Sequence, residues 1–244
     1  MPKTKKTSKT DLRQKLRRGG FYFIPKDGKE VPYASVTKII SVLDKPMIQR
    51  WYGQMVYRAV MANPDLDEKD AMNAPYMTSG KAKTRGTIVH SIVENYKSDP
   101  THIEKLNDTY KGYGKAFQSW VEEYNANIIV NEKTVYSDKY RFAGTLDLIV
   151  KLNESQKPII LDIKTGKDLY PEVQLQLSAY QQCMKEMGKE VGMGALLLKP
   201  DGTYKFERYD ESLIKQFLAC KVIYEWKSAS ILEQIKNYQG YKHA

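Results

Sequence analysis

Two apolar segments in the second half of the chain, residues 142–150 and Ile159–Lys164, constrain its fold more than any other feature. Both are rich in β-branched and large apolar residues and are bounded by turn residues, a pattern typical of buried β-strands. Each segment contains one acid, Asp147 in the first and Asp162 in the second. Because an unpaired buried carboxylate is costly, the two segments predict a paired or cation-binding site inside a sheet.

The second segment places a carboxylate and an ammonium group side by side. Side chains alternate across a strand, so Asp162 and Lys164 share one face, close to the strand end that Thr165 and Gly166 mark. A surface ion pair on an edge strand would give the same pattern. Asp147 favours a functional site, because the 15 residues from it to Asp162 suit a hairpin that brings both carboxylates together.

Two neighbouring carboxylates repel each other, and a divalent cation relieves that repulsion. Lys164 beside them would orient or activate a water molecule, or stabilise a pentacovalent phosphate. This combination is typical of metal-assisted phosphodiester hydrolysis. The chain has two cysteines and three histidines, too few for a four-cysteine cluster or a His-rich metal site. Carboxylate ligands instead indicate Mg²⁺ or Mn²⁺.

Periodicity and turn residues predict an α/β fold with a central mixed β-sheet flanked by helices and an N-terminal helical elaboration. Residues 1–19 are predicted to be a disordered basic arm, and residues 20–244 a single domain. Within it we expect an N-terminal hairpin and helices (20–83), a catalytic core (84–210) and a C-terminal helix (211–244). Residues 63–79 are expected to form a loop with one short helix. The predicted core helices cover residues 110–125 and 171–187, and the predicted strands cover residues 133–136, 142–150, 159–164, 195–199 and 204–209.

The net charge of +10 is concentrated at the N-terminus. Residues 3–18 contain eight basic residues and one acid, which indicates a polyanion-binding arm or, equally, a solvated terminus without a specific partner. No apolar run reaches the roughly 18 residues of a membrane helix. The first residues lack a signal-peptide pattern, so we expect no membrane association and a cytoplasmic location. Cys183 and Cys220 are expected to be buried thiols in a reducing compartment.

Upstream of the strands, a helix is predicted to begin near Thr84. Gly86 and His90 lie on one of its faces, next to Glu94. His90 lies outside the apolar arc, so it is either a site residue or a half-exposed surface histidine. Anion binding is expected where the positive end of this helix dipole meets a basic cluster. That cluster consists of Lys81, Lys83 and Arg85.

Downstream, Gln176 and Tyr180 are four residues apart on one helix. Gln176 can hydrogen-bond the lysine or a phosphate, and Tyr180 can contact a phosphate or stack on a base. Alternatively, Tyr180 packs with Val173 and Leu177 in the core.

Together these elements resemble the PD-(D/E)XK nuclease superfamily, in particular its RecB-like and phage-type exonuclease branch. The motifs that resemble it read Gly86-Thr-Ile-Val-His90, then Glu132, then Gly144-Thr-Leu-Asp147, then Asp162-Ile-Lys164, then Gln176-Leu-Ser-Ala-Tyr180. Ser35-Val-Thr-Lys-Ile also resembles the opening of phage-type members. Each motif is weak by itself, but five in this order are specific. They span residues 84–182.

The resemblance implies a restriction-endonuclease-like core and a role for each matching residue. Asp147 and Asp162 would bind one or two Mg²⁺ or Mn²⁺ ions, helped by the Ile163 carbonyl and by His90. Glu132 would help to bind or orient the metal. Gln176 and Tyr180 would steady the site and the DNA. The four-cysteine iron–sulfur cluster of some relatives is excluded by the cysteine count.

The first hypothesis is therefore a metal-dependent DNA exonuclease acting in DNA recombination, repair or phage DNA metabolism. The alternatives are a structure- or sequence-specific DNA endonuclease and a catalytically silent DNA-binding recombination factor. The expected partner is single- or double-stranded DNA. Because the sequence has no helicase motif, a helicase or a recombination or annealing protein would act as a separate partner.

Overall fold

The computed structural model describes residues 9–153 and 155–236. Seven strands form one mixed sheet, and helices pack on both of its faces. The predicted α/β fold with a central mixed sheet is therefore confirmed. In the described part of the chain, no helix is both long and apolar enough to cross a membrane.

The strands are β1 (Phe21–Lys26), β2 (Lys29–Ser35), β3 (Asn127–Ser137), β4 (Phe142–Lys151), β5 (Ile159–Lys164), β6 (Gly192–Leu198) and β7 (Tyr204–Tyr209). The helices are α1 (Lys9–Arg18), α2 (Val36–Ile40), α3 (Pro46–Ala62), α4 (Glu68–Tyr96), α5 (Asp108–Glu123), α6 (Glu172–Glu186), α7 (Ile214–Lys227) and α8 (Ala229–Lys236), with a 3-10 helix at Pro100–Lys105.

Strand β4 organises the sheet because three other strands pair with it. Strand β3 runs antiparallel along the whole of one edge. The opposite edge is divided between parallel β2, which pairs at Phe142 and Ala143, and antiparallel β5, which pairs at Leu148 to Val150. Residues 144–147 of that edge belong to neither pairing. The sheet is therefore split at this point, and Asp147 lies in the split.

Apolar side chains cover both faces of the sheet, as strands buried on two sides require. On one face, residues of β4 and β5 pack with α2, α6 and α7. On the other face, the predicted apolar stripe of Ile159, Leu161 and Ile163 packs with α4 and α5. Cys183 on α6 and Cys220 on α7 are buried free thiols, as the sequence predicted.

The structure corrects the prediction of a disordered arm over residues 1–19. Lys9–Arg18 form helix α1, while residues 1–8 lie outside the described residues. Leu16 is only 2% exposed, and Arg13 donates two hydrogen bonds to the carboxylate of Glu30 on the hairpin. The contacts that attach this basic helix to the fold therefore include the buried Leu16 and the Arg13–Glu30 ion pair.

The structure also corrects the predicted loop at residues 63–79, because α4 is one 29-residue helix from Glu68. Asp67 caps its start by accepting a hydrogen bond from the Asp70 N–H at 2.7 Å. Pro75 lies inside the helix, where proline costs roughly 3 kcal/mol. Ala71 and Pro75 are buried, so packing compensates for that cost. The predicted boundary between residues 83 and 84 thus falls inside one helix.

The predicted C-terminal helix over residues 211–244 is two helices within the described residues. Helix α7 ends at Lys227, where the Ser228 N–H closes the last turn on the Tyr224 and Glu225 carbonyls. Helix α8 begins at Ala229, and residues 237–244 lie outside the described residues.

Candidate active site

The two acids meet at the split in the sheet. The β4–β5 ladder ends at the pair Leu148–Leu161, and beyond it β5 pairs only with β6. The Asp147 carboxylate fills the gap, because its Oδ2 accepts a hydrogen bond from the Ile163 N–H at 2.8 Å. The predicted approach of Asp147 to β5 therefore occurs through this side chain–backbone bond.

Asp162 is the most buried acid of the site, with 2% of its side chain exposed. Its Oδ1 accepts a hydrogen bond from Gln176 Nε2 at 2.8 Å. Its Oδ2 lies 2.5 Å from Lys164 Nζ, yet this buried oxygen receives no directed hydrogen bond. Burial raises the pKa of Asp162, and the charge of Asp147 adds to the rise, although Lys164 opposes it.

Lys164 supplies the positive charge next to these acids. Burial lowers its pKa, but attraction to Asp162 and Asp147 outweighs this effect and raises the pKa above its usual value. Its ammonium group therefore stays protonated at neutral pH. The predicted Asp–Lys pair on one face of β5 forms as a half-buried ion pair at the end of a central strand.

His90 reaches the same acids from helix α4. Its Nδ1 lies 3.4 Å from Asp147 Oδ1, and 31% of its side chain is exposed. Burial lowers the pKa of His90, but the hydrogen bond to Asp147 and the charge of that residue raise it overall. His90 is thus partly exposed, as the alternative of a half-exposed histidine expected, and it also contacts Asp147, so its role as a site residue stays a prediction.

Glu132 lies opposite Asp147 on the neighbouring strand, between the pairs Asn131–Leu148 and Lys133–Leu146. Its φ of 38° is in the left-handed region, so the strand bends locally at this residue. A small pocket of about one water molecule forms at the bend. Its lining residues are His90, Val93, Glu94, Glu132, Asp147, Leu148 and Ile163.

Gln176 and Tyr180 connect helix α6 to the site. Gln176 Nε2 contacts the Tyr180 hydroxyl at 3.3 Å as well as Asp162. Tyr180 is only 3% exposed, and burial raises its pKa far above the usual value. Tyr180 packs in the same core cluster as Val173 and Leu177, as the alternative interpretation expected, and its contact with DNA stays a prediction.

The basic cluster lies at a different position in its helix from the one predicted. Lys81, Lys83 and Arg85 lie in the interior of α4, whose N-terminus is at Glu68, so no helix N-terminus is available to them. The argument from the helix dipole is therefore wrong. Lys81 and Lys83 are exposed, and the Nε of Arg85 is buried without a hydrogen-bond partner.

The structure adds two residues to those that the sequence indicated. The Tyr22 hydroxyl lies 3.3 Å from Thr145 Oγ1, which places the β1–β2 hairpin beside the split in β4. Thr145 is two residues before Asp147 and could have been identified from strand alternation. Tyr22 is 123 residues away from Thr145, so no local pattern could have indicated it.

The donor set suits a hard divalent cation. Aspartate, glutamate, histidine and main-chain oxygen are ligands for Mg²⁺ or Mn²⁺, and the Asp162 Oδ2 atom, which now contacts only the Lys164 ammonium group among the described residues, could accept such a cation. Within residues 9–153 and 155–236, no three His, Cys, Asp or Glu side chains already form a ligand cluster. Lys164 instead provides the countercharge to Asp162.

The family model of the PD-(D/E)XK nuclease superfamily matches residues 102–221. This match covers 120 of the 244 residues, and over this span the chain is similar to the nuclease superfamily. The matched span contains Glu132, Asp147, Asp162 and Lys164, whereas His90 precedes it. No curated protein sequence matches the chain.

Solved structures similar to the chain include two proteins of low sequence identity. The protein SSO0001 is 16% identical with a TM-score of 0.41, and the match covers 90% of this chain and 83% of that one. The alkaline exonuclease LHK-Exo from Laribacter hongkongensis is 12% identical with a TM-score of 0.45, and the match covers 84% of this chain and 90% of that one. Both TM-scores lie below 0.5, and neither match bears on the assignment.

Proposed function

We propose that this chain is a divalent-metal-dependent DNA exonuclease. The observation that supports the proposal most is the convergence of Asp147, Asp162, Lys164 and His90 at the split in the sheet. These side chains come from β4, β5 and α4, which a buried core holds in place. A surface ion pair would not need three elements or a fully buried carboxylate.

The residues that would hold one or two Mg²⁺ or Mn²⁺ ions are Asp147, Asp162, the Ile163 carbonyl and His90, with Glu132 across the strand. When bound, the cation supplies charge stabilisation for the phosphate and for an attacking water. Gln176 keeps the Asp162 carboxylate in one orientation through its 2.8 Å hydrogen bond. Burial is the main cause of the raised pKa of Asp162, and a bound cation would offset both this burial and the added repulsion from Asp147.

Lys164 has a distinct role because it remains a cation. A protonated ammonium group cannot accept a proton, so Lys164 orients the attacking water and stabilises the charge that develops on the phosphate. Displacement of its contact with Asp162 Oδ2 would free that oxygen for the metal and the ammonium group for the phosphate.

The exonuclease assignment rests on the ordered set of five motifs, including His90, which resembles the RecB-like branch. Recombination, repair and phage DNA metabolism are the processes in which such an enzyme would act. A separate helicase, recombination or annealing protein would supply the DNA ends. We propose a cytoplasmic location on the same basis.

A digest of matched DNA substrates tests the proposal. We expect linear DNA to be degraded only when Mg²⁺ or Mn²⁺ is present, and covalently closed circular DNA to stay intact. Linear molecules blocked at the 5′ or the 3′ end then reveal the polarity. Cleavage of the circular substrate would identify an endonuclease, and metal-independent binding without cleavage would identify a silent DNA-binding factor.

The basic N-terminus gives a second prediction. Residues 2–8 contain Lys3, Lys5 and Lys6. Their deletion leaves α1 and its Arg13–Glu30 ion pair in place, so the fold is preserved. If these lysines contact phosphates, the slope of log K against log salt for duplex DNA should fall by up to roughly 3. Anisotropy titrations between low and moderate salt measure it, and an unchanged slope would show that these lysines make no phosphate contact.

A further inference from the structure

Helices α3 and α4 form a hairpin whose surface is unusually apolar. None of the residues of α3 is buried, although the whole helix lies within the described residues. Eight large apolar side chains of the two helices are exposed, a larger group than solvent contact alone would favour. They are Met47, Ile48, Tyr57, Val60, Met61, Met72, Tyr76 and Met77.

Acidic and basic residues of this hairpin lie in different segments. Residues 45–64 and 71–93 contain no acid and six basic residues. Asp65 and Asp67 lie in the connection between the helices, and the acids of α4 lie near its ends, at Glu68, Asp70 and Glu94. The arms therefore combine exposed apolar surface with positive charge, which suits a partner that is both aromatic and anionic.

One face of α4 connects this surface to the candidate active site. Helical geometry places residues seven apart close to the same line along the axis, so Tyr76, Lys83 and His90 lie on one side of α4. Tyr76 is 62% exposed and Lys83 is exposed. Tyr76 and His90 are separated by about 21 Å at 1.5 Å per residue.

An aromatic cluster occupies the far end of this line. The Tyr76 ring lies 5.6 Å from the ring of Tyr52 on α3, which in turn lies 5.3 Å from the ring of Trp51. Both pairs are edge-to-face. Tyr76 is exposed, whereas Trp51 and Tyr52 are partly exposed. Aromatic rings that solvent can reach are surfaces on which unpaired nucleobases stack.

We propose that Trp51, Tyr52, Tyr76 and Lys83 form a track that binds single-stranded DNA and leads one strand to the candidate active site. The inference rests on the proposed function, which it extends by naming the bound form of the substrate. A span of about 21 Å corresponds to at most roughly six nucleotides, the number at the 3.4 Å spacing of one duplex strand, and to fewer if the strand is more extended. Lys83, halfway along, would contact a phosphate, and the rings would stack on bases.

The track favours a single strand because the bases of a duplex already stack on one another and present only their edges. The absence of acids from residues 45–64 and 71–93 favours a polyanion over a second copy of this chain, whose matching surface would carry the same positive charge. Lys81 lies on the opposite side of α4 from His90, so the track predicts a larger effect for Lys83 than for Lys81.

The test measures binding of a fluorescent deoxythymidine oligonucleotide of ten residues to the full chain in EDTA, where hydrolysis does not interfere. Tyr76→Ala should weaken binding about tenfold, within the range of one lost stacking contact, and Tyr76→Phe should restore it. The matched control is Tyr57→Ala, which removes an equally exposed tyrosine (65%) outside the track and should change Kd by less than about twofold. Duplex binding should change less than single-strand binding in Tyr76→Ala.

A second readout separates this inference from the proposed function. With Mn²⁺, hydrolysis of thymidine 5′-(p-nitrophenyl phosphate), which is too short to reach Tyr76, should be equal in Tyr76→Ala and the unchanged chain. Equal oligonucleotide affinities for Tyr76→Ala and Tyr57→Ala would overturn the track while leaving the nuclease proposal intact. The track would also be overturned if sedimentation showed that Tyr76→Ala abolishes self-association of the chain while its DNA affinity stays unchanged. If the chain hydrolysed neither substrate while Tyr76→Ala still weakened oligonucleotide binding, the nuclease proposal alone would be contradicted.

Discussion

Asp162→Asn and Lys164→Met should each reduce hydrolysis of linear DNA by about a hundred- to a thousandfold, the magnitude expected when one charge-stabilising group is lost. Asparagine keeps the size of Asp162 and the partner of Gln176 but removes the negative charge that a metal requires. Methionine keeps the aliphatic stem of Lys164 and removes its cation. Initial rates at saturating Mg²⁺ or Mn²⁺ measure the effect.

These variants should lose activity without a comparable loss of folding stability. The raised pKa of Asp162 means that folding disfavours its ionised form, so removing that charge has no large cost in the metal-free protein. Lys164 keeps 32% of its side chain exposed and can be hydrated once its partner is neutral. The unfolding temperature of Asp162→Asn should therefore stay within about 4 °C of the parent value.

Matched surface variants serve as controls. Asp168 and Lys167 lie in the segment just after β5, and the Asp168 carboxylate pairs with Lys205 at the surface. Asp168→Asn and Lys167→Met should change the rate by less than about twofold. Full activity in Asp162→Asn or Lys164→Met would refute the assignment of the site.

The central part of this site was predictable because burial leaves few options for an acid inside an apolar strand. Asp147 and Asp162 each interrupt an apolar run, and strand alternation places Lys164 beside Asp162. The structure confirms that ion pair and adds the Asp147–Ile163 hydrogen bond. What the sequence could not provide is the reason for the opening between the strands.

That opening depends on a contact between distant parts of the chain. Strand β2 pairs with Phe142 and Ala143 through residues more than a hundred positions earlier, and no local pattern encodes that pairing. Helix α4 was missed for a different reason. Pro75 predicts a helix break by intrinsic propensity, but burial of Ala71 and Pro75 outweighs it. The line from Tyr76 to His90 exists only because the helix is continuous.

Gly144→Ala should destabilise the fold by about 2 kcal/mol, because it forces a methyl group into a packed position. A Cβ at this residue would lie 2.5 Å from Tyr180 Cε1 and 2.9 Å from its hydroxyl. The Tyr180 ring is almost fully buried and cannot turn away freely. The glycine of the Gly-x-x-Asp motif therefore lies against the tyrosine of the Gln-x-x-x-Tyr motif.

Displacement of Tyr180 in Gly144→Ala should also disturb the side chains of the active site. The Tyr180 hydroxyl contacts Gln176 Nε2, and that amide group holds Asp162 Oδ1. Gly144→Ala should thus lower both the unfolding temperature, by roughly 2–4 °C per kcal/mol, and the rate of DNA hydrolysis. Differential scanning calorimetry and initial rates on the same preparation measure the two effects.

A double-mutant cycle identifies the clash as the cause. Tyr180→Leu removes the ring atoms, so in that background Gly144→Ala should cost less than about 1 kcal/mol, a coupling that independent sites would not show. Gly53 in α3 is the matched control, because a methyl group added there would meet no described atom outside its own helix within 4 Å. Gly53→Ala should leave stability unchanged or raise it by about 0.5–1 kcal/mol, because alanine favours a helix more than glycine does. An equal cost for Gly144→Ala in both backgrounds would show that contact with Tyr180 is not what requires glycine at this position.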